Sequence, residues 1–214
     1  TFSIHFNELN GRFDFDFYSP ENRKMFSNLK NVETVRLGDI CEIVKVKSRK
    51  LKDSNSTVEY VELSDINTHS YEIINSTTHQ VHELPSRASY EIEQGDIITA
   101  IAGNSVGTRK HATAFVTEEF AGSICTNGFR VLRNFKIDSY YLLYYLKSEM
   151  FLKQMFMYRT GAAIPNVSDI DLANIIIHLP NQKIITEISN KMKKAFELRQ
   201  ASKQQIESIE LELL

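Results

Sequence analysis

Apolar positions change their spacing twice along the chain. Between residues 35 and 132 they alternate with polar ones or form short apolar runs bounded by turn residues, which predicts strands. These strands fall at 35–40 (an entry with a turn at Gly38-Asp39), 41–46, 58–63, 71–74 and 81–84. Residues 89–93 and 97–102 read as two strands joined tightly through Gln94-Gly95-Asp96. A Gly-containing loop over 103–111 interrupts the sheet, and strands resume at 112–116, 122–125 and 128–132. From Ile137 the spacing becomes helical, with helices at 140–147, capped by Asp138 or Ser139, and at 148–158. A loop at 159–166, a short capped helix at 167–172 and a buried strand at 175–179 follow. Near the start, Ser19 and Pro20 open a helix over Pro20–Leu29, with the hydroxyl as N-cap and proline at the first position.

The third pattern begins after Pro180. Residues 182–214 contain no Pro or Gly, and steps of three and four pick out Ile185, Ile188, Met192, Ala195, Arg199, Ser202, Ile206, Ile209 and Leu213. At about 1.5 Å per residue this helix extends roughly 50 Å, more than a body of this size needs for its own core. Part of the apolar seam therefore calls for a partner. Lys183, Lys191, Lys193, Lys194, Arg199 and Lys203 precede Glu207, Glu210 and Glu212, so an antiparallel copy would set basic against acidic stretches. The plainer alternative is a helix folded back on its own body. Together the patterns predict an α+β protein: a β-rich globular domain with peripheral helices over 1–180, then a long coiled-coil helix over 181–214 that spaces or dimerises.

Composition adds bounds. A chain of 214 residues with 42% hydrophobic and 24% charged residues is an ordinary globular sequence, and no apolar run reaches membrane-spanning length. Cys41 and Cys125 stand singly in strand-like segments and are expected to be buried and reduced, which suits the cytoplasm. A net charge of −2 argues against wholesale coating of nucleic acid, yet Lys45, Lys47, Arg49, Lys50 and Lys52 form a local basic run without an acid.

Enzymatic motifs are missing. After Gly107 stand Thr108 and Arg109, where a Walker loop needs Lys and Ser or Thr. His79 and His82 lack the glutamate and helical setting of a zinc protease, and no nucleophile elbow or activated cysteine occurs. Binding chemistry is better represented. Lys45 to Lys52 and Arg109-Lys110-His111 lie on loops beside strands, where cations reach phosphates while Asn104, Ser105 and Thr108 offer short polar groups to base edges. Arg87, Asn127 and Arg159-Thr160 are further candidates, and a solvated charged face is the competing reading of each.

The order of segments resembles the specificity (S) subunits of type I restriction-modification systems. The resemblance rests on Arg12-Phe13-Asp14 leading to Tyr18-Ser19-Pro20, Val35-Arg36-Leu37-Gly38-Asp39-Ile40, and Gln94-Gly95-Asp96-Ile97-Ile98 before the loop. It continues through Asn127-Gly128-Phe129-Arg130-Val131-Leu132, the tyrosine-rich run from Tyr140 to Ser148, Gly161-Ala162-Ala163-Ile164-Pro165-Asn166-Val167-Ser168, and Leu179-Pro180 before the long helix. It implies one target recognition domain reading half of a split duplex DNA site, and one conserved spacer helix. It implies docking of methyltransferase (M) subunits, an indirect link to restriction (R) subunits, and an antiparallel homodimer. It implies no cofactor, metal or catalysis in this chain, with S-adenosylmethionine and ATP on partner subunits. A full-length subunit carries two of each part, so this chain is expected to be a half-length subunit, a truncation, or the recognition region of a fused restriction-modification enzyme. Outside DNA biology, the alternative is a protein-interaction scaffold.

Overall fold

The computed structural model describes residues 2–6, 9, 16–29, 32–48 and 53–212. Arg12 to Asp14, Arg49, Lys50, Lys52 and Leu213 lie outside the described residues. Among those described, strands of three sheets and six α-helices form the α+β architecture that the patterning predicts.

Helix α1 (Pro20–Leu29) starts where Ser19 Oγ accepts from Asn22 N, 3.4 Å away. Its Met25 packs with Phe17, Tyr18 and Met157 in a small separate cluster. Strand β1 (Thr34–Arg36) leads into a one-turn helix α2 (Leu37–Ile40), where the sequence suggested only a turn. The strands that follow are β2 (Glu42–Ile43), β3 (Thr57–Val61), β4 (Ile66–Asn67), β5 (Glu72–Ile73), β6 (Thr77–Gln80) and β7 (Ala88–Glu91). The second half of the body adds β8 (Ile97–Ala100), β9 (Thr113–Phe115), β10 (Ile124–Thr126), β11 (Phe129–Arg133) and, after the helices, β12 (Ile176–His178). They form a six-stranded sheet in the order β2-β11-β8-β9-β5-β4, a four-stranded sheet β6-β3-β10-β7, and a ribbon of β1 with β12.

The two strands expected between residues 89 and 102 form, and their tight connection is present, but they do not pair with each other. Strand β7 joins the four-stranded sheet and β8 the six-stranded one, so the Gln94-Gly95-Asp96 turn is a corner between sheets. Buried Asp96 holds that corner, accepting from Glu93 N at 2.7 Å and from Arg133 Nε and Nη2 at 2.8 and 2.7 Å. A turn sequence shows that the chain reverses, not which strand it then meets. The strand expected at 81–84 is instead a 3-10 turn, Val81–Glu83, and β6 lies just before it. Val81 and Leu84 plug the smaller core beneath the four-stranded sheet.

Helices α3 (Ser139–Tyr145) and α4 (Glu149–Tyr158) begin at Asp138 and Ser148, whose side chains accept from Tyr140 N and Tyr141 N, and from Phe151 N. They also hold the terminal ribbon. Tyr141 Oη donates to the His178 carbonyl at 2.6 Å, while Gln154 donates to the Ile176 carbonyl and accepts from its N–H at 2.9 and 2.8 Å. Ser168 caps α5 (Asp169–Ala173).

The long helix α6 (Gln182–Glu212) starts at Asn181, whose Oδ1 accepts from Ile184 N at 3.1 Å. Its first half belongs to the body. Ile185, Ser189 and Phe196 are buried, Ile188, Met192 and Ala195 partly so, with α3 as the main neighbour. Phe196 meets Phe115 and Tyr140 with ring centroids 5.8 and 6.0 Å away, and those two rings stack at 5.1 Å. Arg199 Nη1 then donates to the Ser70 carbonyl at 2.8 Å, and Lys203 Nζ meets both oxygens of Glu119 at 2.8 Å. Ser202, between these ties, is exposed, and beyond them Ile206 and Ile209 are each 57% exposed. Among the described residues, no helix is long and apolar enough to cross a membrane.

Candidate nucleic-acid interface

Strand directions gather the loops at one end of the body. β11 runs antiparallel to β8 with Phe129 opposite Ala100, and to β2 with Leu132 opposite Ile43. β9 runs antiparallel to β8 with Thr113 opposite Thr99, and β10 is parallel to β3 and antiparallel to β7. Because only Asn127 and Gly128 separate β10 from β11, the ends of β2, β3, β8 and β10 and the starts of β7, β9 and β11 lie together. The 159–166 loop joins them through an Ala102–Asn166 bridge and a Gly103 N bond to the Pro165 carbonyl at 2.9 Å. All the described candidates, Lys45, Lys47, Arg87, Asn104, Ser105, Thr108, Arg109, Lys110 and Arg159, therefore lie on segments that leave the sheets at this end.

The 103–111 loop is held from beneath by a histidine. His111 is fully buried and accepts at Nδ1 from Gly107 N at 3.2 Å, which leaves the proton on Nε2, 2.9 Å from Thr99 Oγ1. Thr113 Oγ1 lies 3.1 Å beyond, and the Phe151 ring stands edge-on at 5.5 Å. Burial, and secondarily the ammonium of Lys147, pushes the His111 pKa down to about 3. His111 is thus a neutral prop, a correction to its reading as one of three loop cations; the Arg109-Lys110-His111 run gives no sign that its last member turns inward. Lys147 Nζ braces the same loop by donating to the carbonyls of His111 and Arg109 at 2.7 and 3.4 Å, and burial lowers its pKa. Gly107 has φ +74 and lies so close to α4 that a Cβ would stand 2.7 Å from Phe156 Cα.

Thr108 is spent inside the loop, its hydroxyl donating to the Ser105 carbonyl at 2.8 Å and accepting from Lys110 N at 3.2 Å. Ser105 is half-buried, which leaves Asn104, Arg109 and Lys110 exposed. Arg87 pairs with Glu62 and donates to Tyr60 Oη at 3.2 Å, bonds that raise its pKa further. Arg159 lies over the Phe156 ring at 3.5 Å and donates to the Val106 carbonyl at 3.4 Å. Arg130, which reads as part of a core strand, also reaches this end: it bonds Asp169 at 2.6 Å and lies 5.4 Å over the Tyr90 ring. Among the described residues, the side chains of Lys45, Lys47, Arg109 and Lys110 have no ion-pair partner. Asn127 contributes its backbone, donating from N to the Arg87 carbonyl at 2.7 Å and accepting at O from Arg130 at 3.0 Å.

Beside the loop, a cleft of about 790 Å³ runs between α1 and α4, lined by Asn22, Arg109, Lys147, Lys153 and Phe156 among others. No group of His, Cys, Asp and Glu among the described residues is placed to hold a metal. Burial pushes the Cys41 and Cys125 thiols up to about 12, so neither is an activated nucleophile.

The structure thus combines a β-rich body, whose loops carry cations and short polar side chains at one end, with a long helix after it. The chain belongs to the family of type I restriction modification DNA specificity domains, whose model matches residues 29–208. No individually curated protein matches it. Among solved structures it is similar to a chain of a type I R-M system studied for complex assembly and conformational transition. That chain is 25% identical with a TM-score of 0.63, over 84% of this chain and 46% of that one. The HsdS subunit from Thermoanaerobacter tengcongensis is 26% identical with a TM-score of 0.59, again over 84% of this chain and 46% of that one. The chain thus spans about half the length of each.

Proposed function

We propose that this chain reads one half of a bipartite duplex DNA target within a type I restriction-modification complex. The observation that carries the reading is the single end from which the loops bearing Lys45, Lys47, Asn104, Arg109 and Lys110 leave, the four cations having no ion-pair partner among the described residues. Cations of this kind hold phosphates, and short polar side chains between them reach base edges. Arg87 and Arg130, already paired with carboxylates, supply positioned guanidinium groups that can be shared with a phosphate or a guanine. The domain division at 180 and 181 belongs to the same reading, with the helix as a spacer rooted in its own body.

The second half-site is read by a second body, from another copy of this chain or from the other half of a longer polypeptide. The 46% coverage of the HsdS chain supports this arrangement. The two long helices run antiparallel, with Ile206 and Ile209 in the contact, and methyltransferase subunits dock on the assembly. Methyl transfer with S-adenosylmethionine and ATP-driven restriction take place in partner subunits of the cytoplasmic complex. Titrating duplex DNA with the chain and its methyltransferase across a salt series tests the reading. Log affinity should fall with log salt at roughly 0.9 per phosphate contacted, and a flat line would overturn it.

A further inference from the structure

Between Arg159 and Asp169 the chain carries no charged side chain. Within this stretch residues 160–166 close into a constrained tip. Thr160 N donates to the Asn166 carbonyl at 2.8 Å, and Asn166 N returns the bond to the Thr160 carbonyl at 2.8 Å. Gly161 turns the chain with φ +95, and a Cβ there would stand 2.8 Å from the Ile164 carbonyl oxygen. Gly103 N and Val167 N tie the tip to the Pro165 and Ile101 carbonyls at 2.9 and 2.8 Å, so it is fixed directly beside Asn104.

What this scaffold presents is apolar. Ala162 and Ala163 are exposed, and Ile164 is 68% exposed. Surface isoleucines occur singly in many proteins, and one alone means little. Here the backbone beneath it is pinned by four hydrogen bonds and a glycine-dependent turn. Such fixing adds nothing to a core that Ile164 does not enter. It does prepare a side chain for a ligand, because the ordering cost is already met in the free protein. The surroundings indicate which ligand. Arg159 stands at the root of the tip, with Arg109 and Lys110 on the loop to which it is bonded, so a polyanion is drawn to this place while the tip itself offers no charge to a phosphate.

We propose that the tip enters a groove of the bound duplex and that Ile164 wedges against the base-pair stack, loosening or bending one step of the half-site. Ala162 and Ala163 are small enough to let the backbone approach the groove wall. Apolar wedges between base steps are a known way for proteins to exchange stacking energy for a bent, better-wrapped duplex. The inference rests on the DNA-reading function proposed above and adds a contact that neither charge nor hydrogen-bonding groups supply.

The test uses the complex of this chain with its methyltransferase and duplexes bearing the methylated motif, with 2-aminopurine placed at successive steps. Wild type should raise the fluorescence at one step of a half-site. Ile164→Ala should abolish that rise and weaken binding about tenfold while leaving the salt slope unchanged, and Ile164→Leu should retain both. An unaltered fluorescence profile and affinity in Ile164→Ala would overturn the wedge. So would loss of methyltransferase from the complex, which would make the tip a protein contact. Absence of salt-dependent binding by wild type would overturn the DNA-reading function itself, and the wedge with it.

Discussion

Arg199 donates through Nη1 to the Ser70 carbonyl at 2.8 Å, tying the middle of the long helix to the turn between β4 and β5. Its guanidinium also lies 5.8 Å from the Phe196 ring and 3.9 Å from the Glu72 carboxylate. Heptad spacing places Arg199 in a seam facing another helix, whereas its bonds run to its own body. A charged donor on a backbone carbonyl contributes about 1 kcal/mol, more than a solvated lysine–carboxylate pair does. Arg199→Ala should therefore lower unfolding free energy by about that much and raise hydrogen exchange beyond residue 196. Lys203→Ala, which removes an exposed pair with Glu119, should cost less than about 0.5 kcal/mol. Urea titration of both variants checks the ranking, and a larger loss from Lys203→Ala would contradict it.

Ile206 and Ile209 lie beyond the last tie to the body, each 57% exposed. Replacing both with serine should change the stability of the body by less than about 0.5 kcal/mol, because neither side chain enters its core. It should nevertheless weaken helix-to-helix association. Sedimentation at micromolar concentration should show the wild-type chain self-associating and the double variant shifted towards monomer. Equal sedimentation of the two would remove these residues from any interface.

His111 couples the loop to pH. Its ordinary pKa is 6.5 and its folded value about 3, so below 6.5 the unfolded chain binds a proton that the folded chain does not. The stability that this difference gives is complete above pH 6.5 and is lost as pH falls from 6.5 towards 3, at up to about 1.4 kcal/mol per pH unit. The groups that face the ring are the Thr99 hydroxyl, the Gly107 N–H and the Phe151 edge, with Lys147 on its carbonyl; none is an anion that would favour the imidazolium. His111→Gln should be less stable at neutral pH and lose stability less steeply between pH 6 and 4.5. Unfolding titrations across that interval should show the two slopes converging on different values, and identical slopes would refute the coupling.

Gly107→Ala should disturb the same loop by another route. A methyl at φ +74 beside the Phe156 backbone adds strain and a collision, costing about 2 kcal/mol or more. Sequence preference should relax while affinity for random duplex changes little, because the cations remain. Comparing binding to target and random duplexes shows whether the loop's shape or only its charge matters.

Charge and readout separate by residue. Substituting Lys47, Arg109 and Lys110 with alanine should weaken binding to every sequence and reduce the salt slope by about one for each phosphate left without its cation. At Asn104 or Ser105 a substitution should instead shift which bases are preferred. Arg109 stands at the junction of the two roles, and its variant should alter both slope and preference.

Local chemistry made much of this fold readable. Asp138 announces its helix because a short acceptor before an apolar stretch satisfies orphan N–H groups, and its carboxylate does so in the structure; Ser148, which reads as part of the following helix, proves to be the cap of that helix. Sheet partnership was not readable at 89–102, since Asp96 and Arg133 meet only after the corner has formed. The polar edge strand β6 lacks the alternation that betrays a half-buried strand; Thr78 and Ser76 instead bond Glu59 on β3. At the interface, the loops were evident from glycine and charge, but burial decides roles. His111 and Lys147 are both basic in composition, and one is a neutral prop while the other spends its ammonium on two carbonyls.

Methylation mapping reaches the central claim most directly. Genomic DNA from cells holding the methyltransferase is sequenced for modified bases with and without the gene that encodes this chain. A methylated motif should depend on the gene and consist of two short defined blocks separated by a gap of fixed length, with one block changed by substitutions at Asn104, Ser105 or Arg109. An identical methylation pattern with and without the gene, or a single contiguous block, would contradict it.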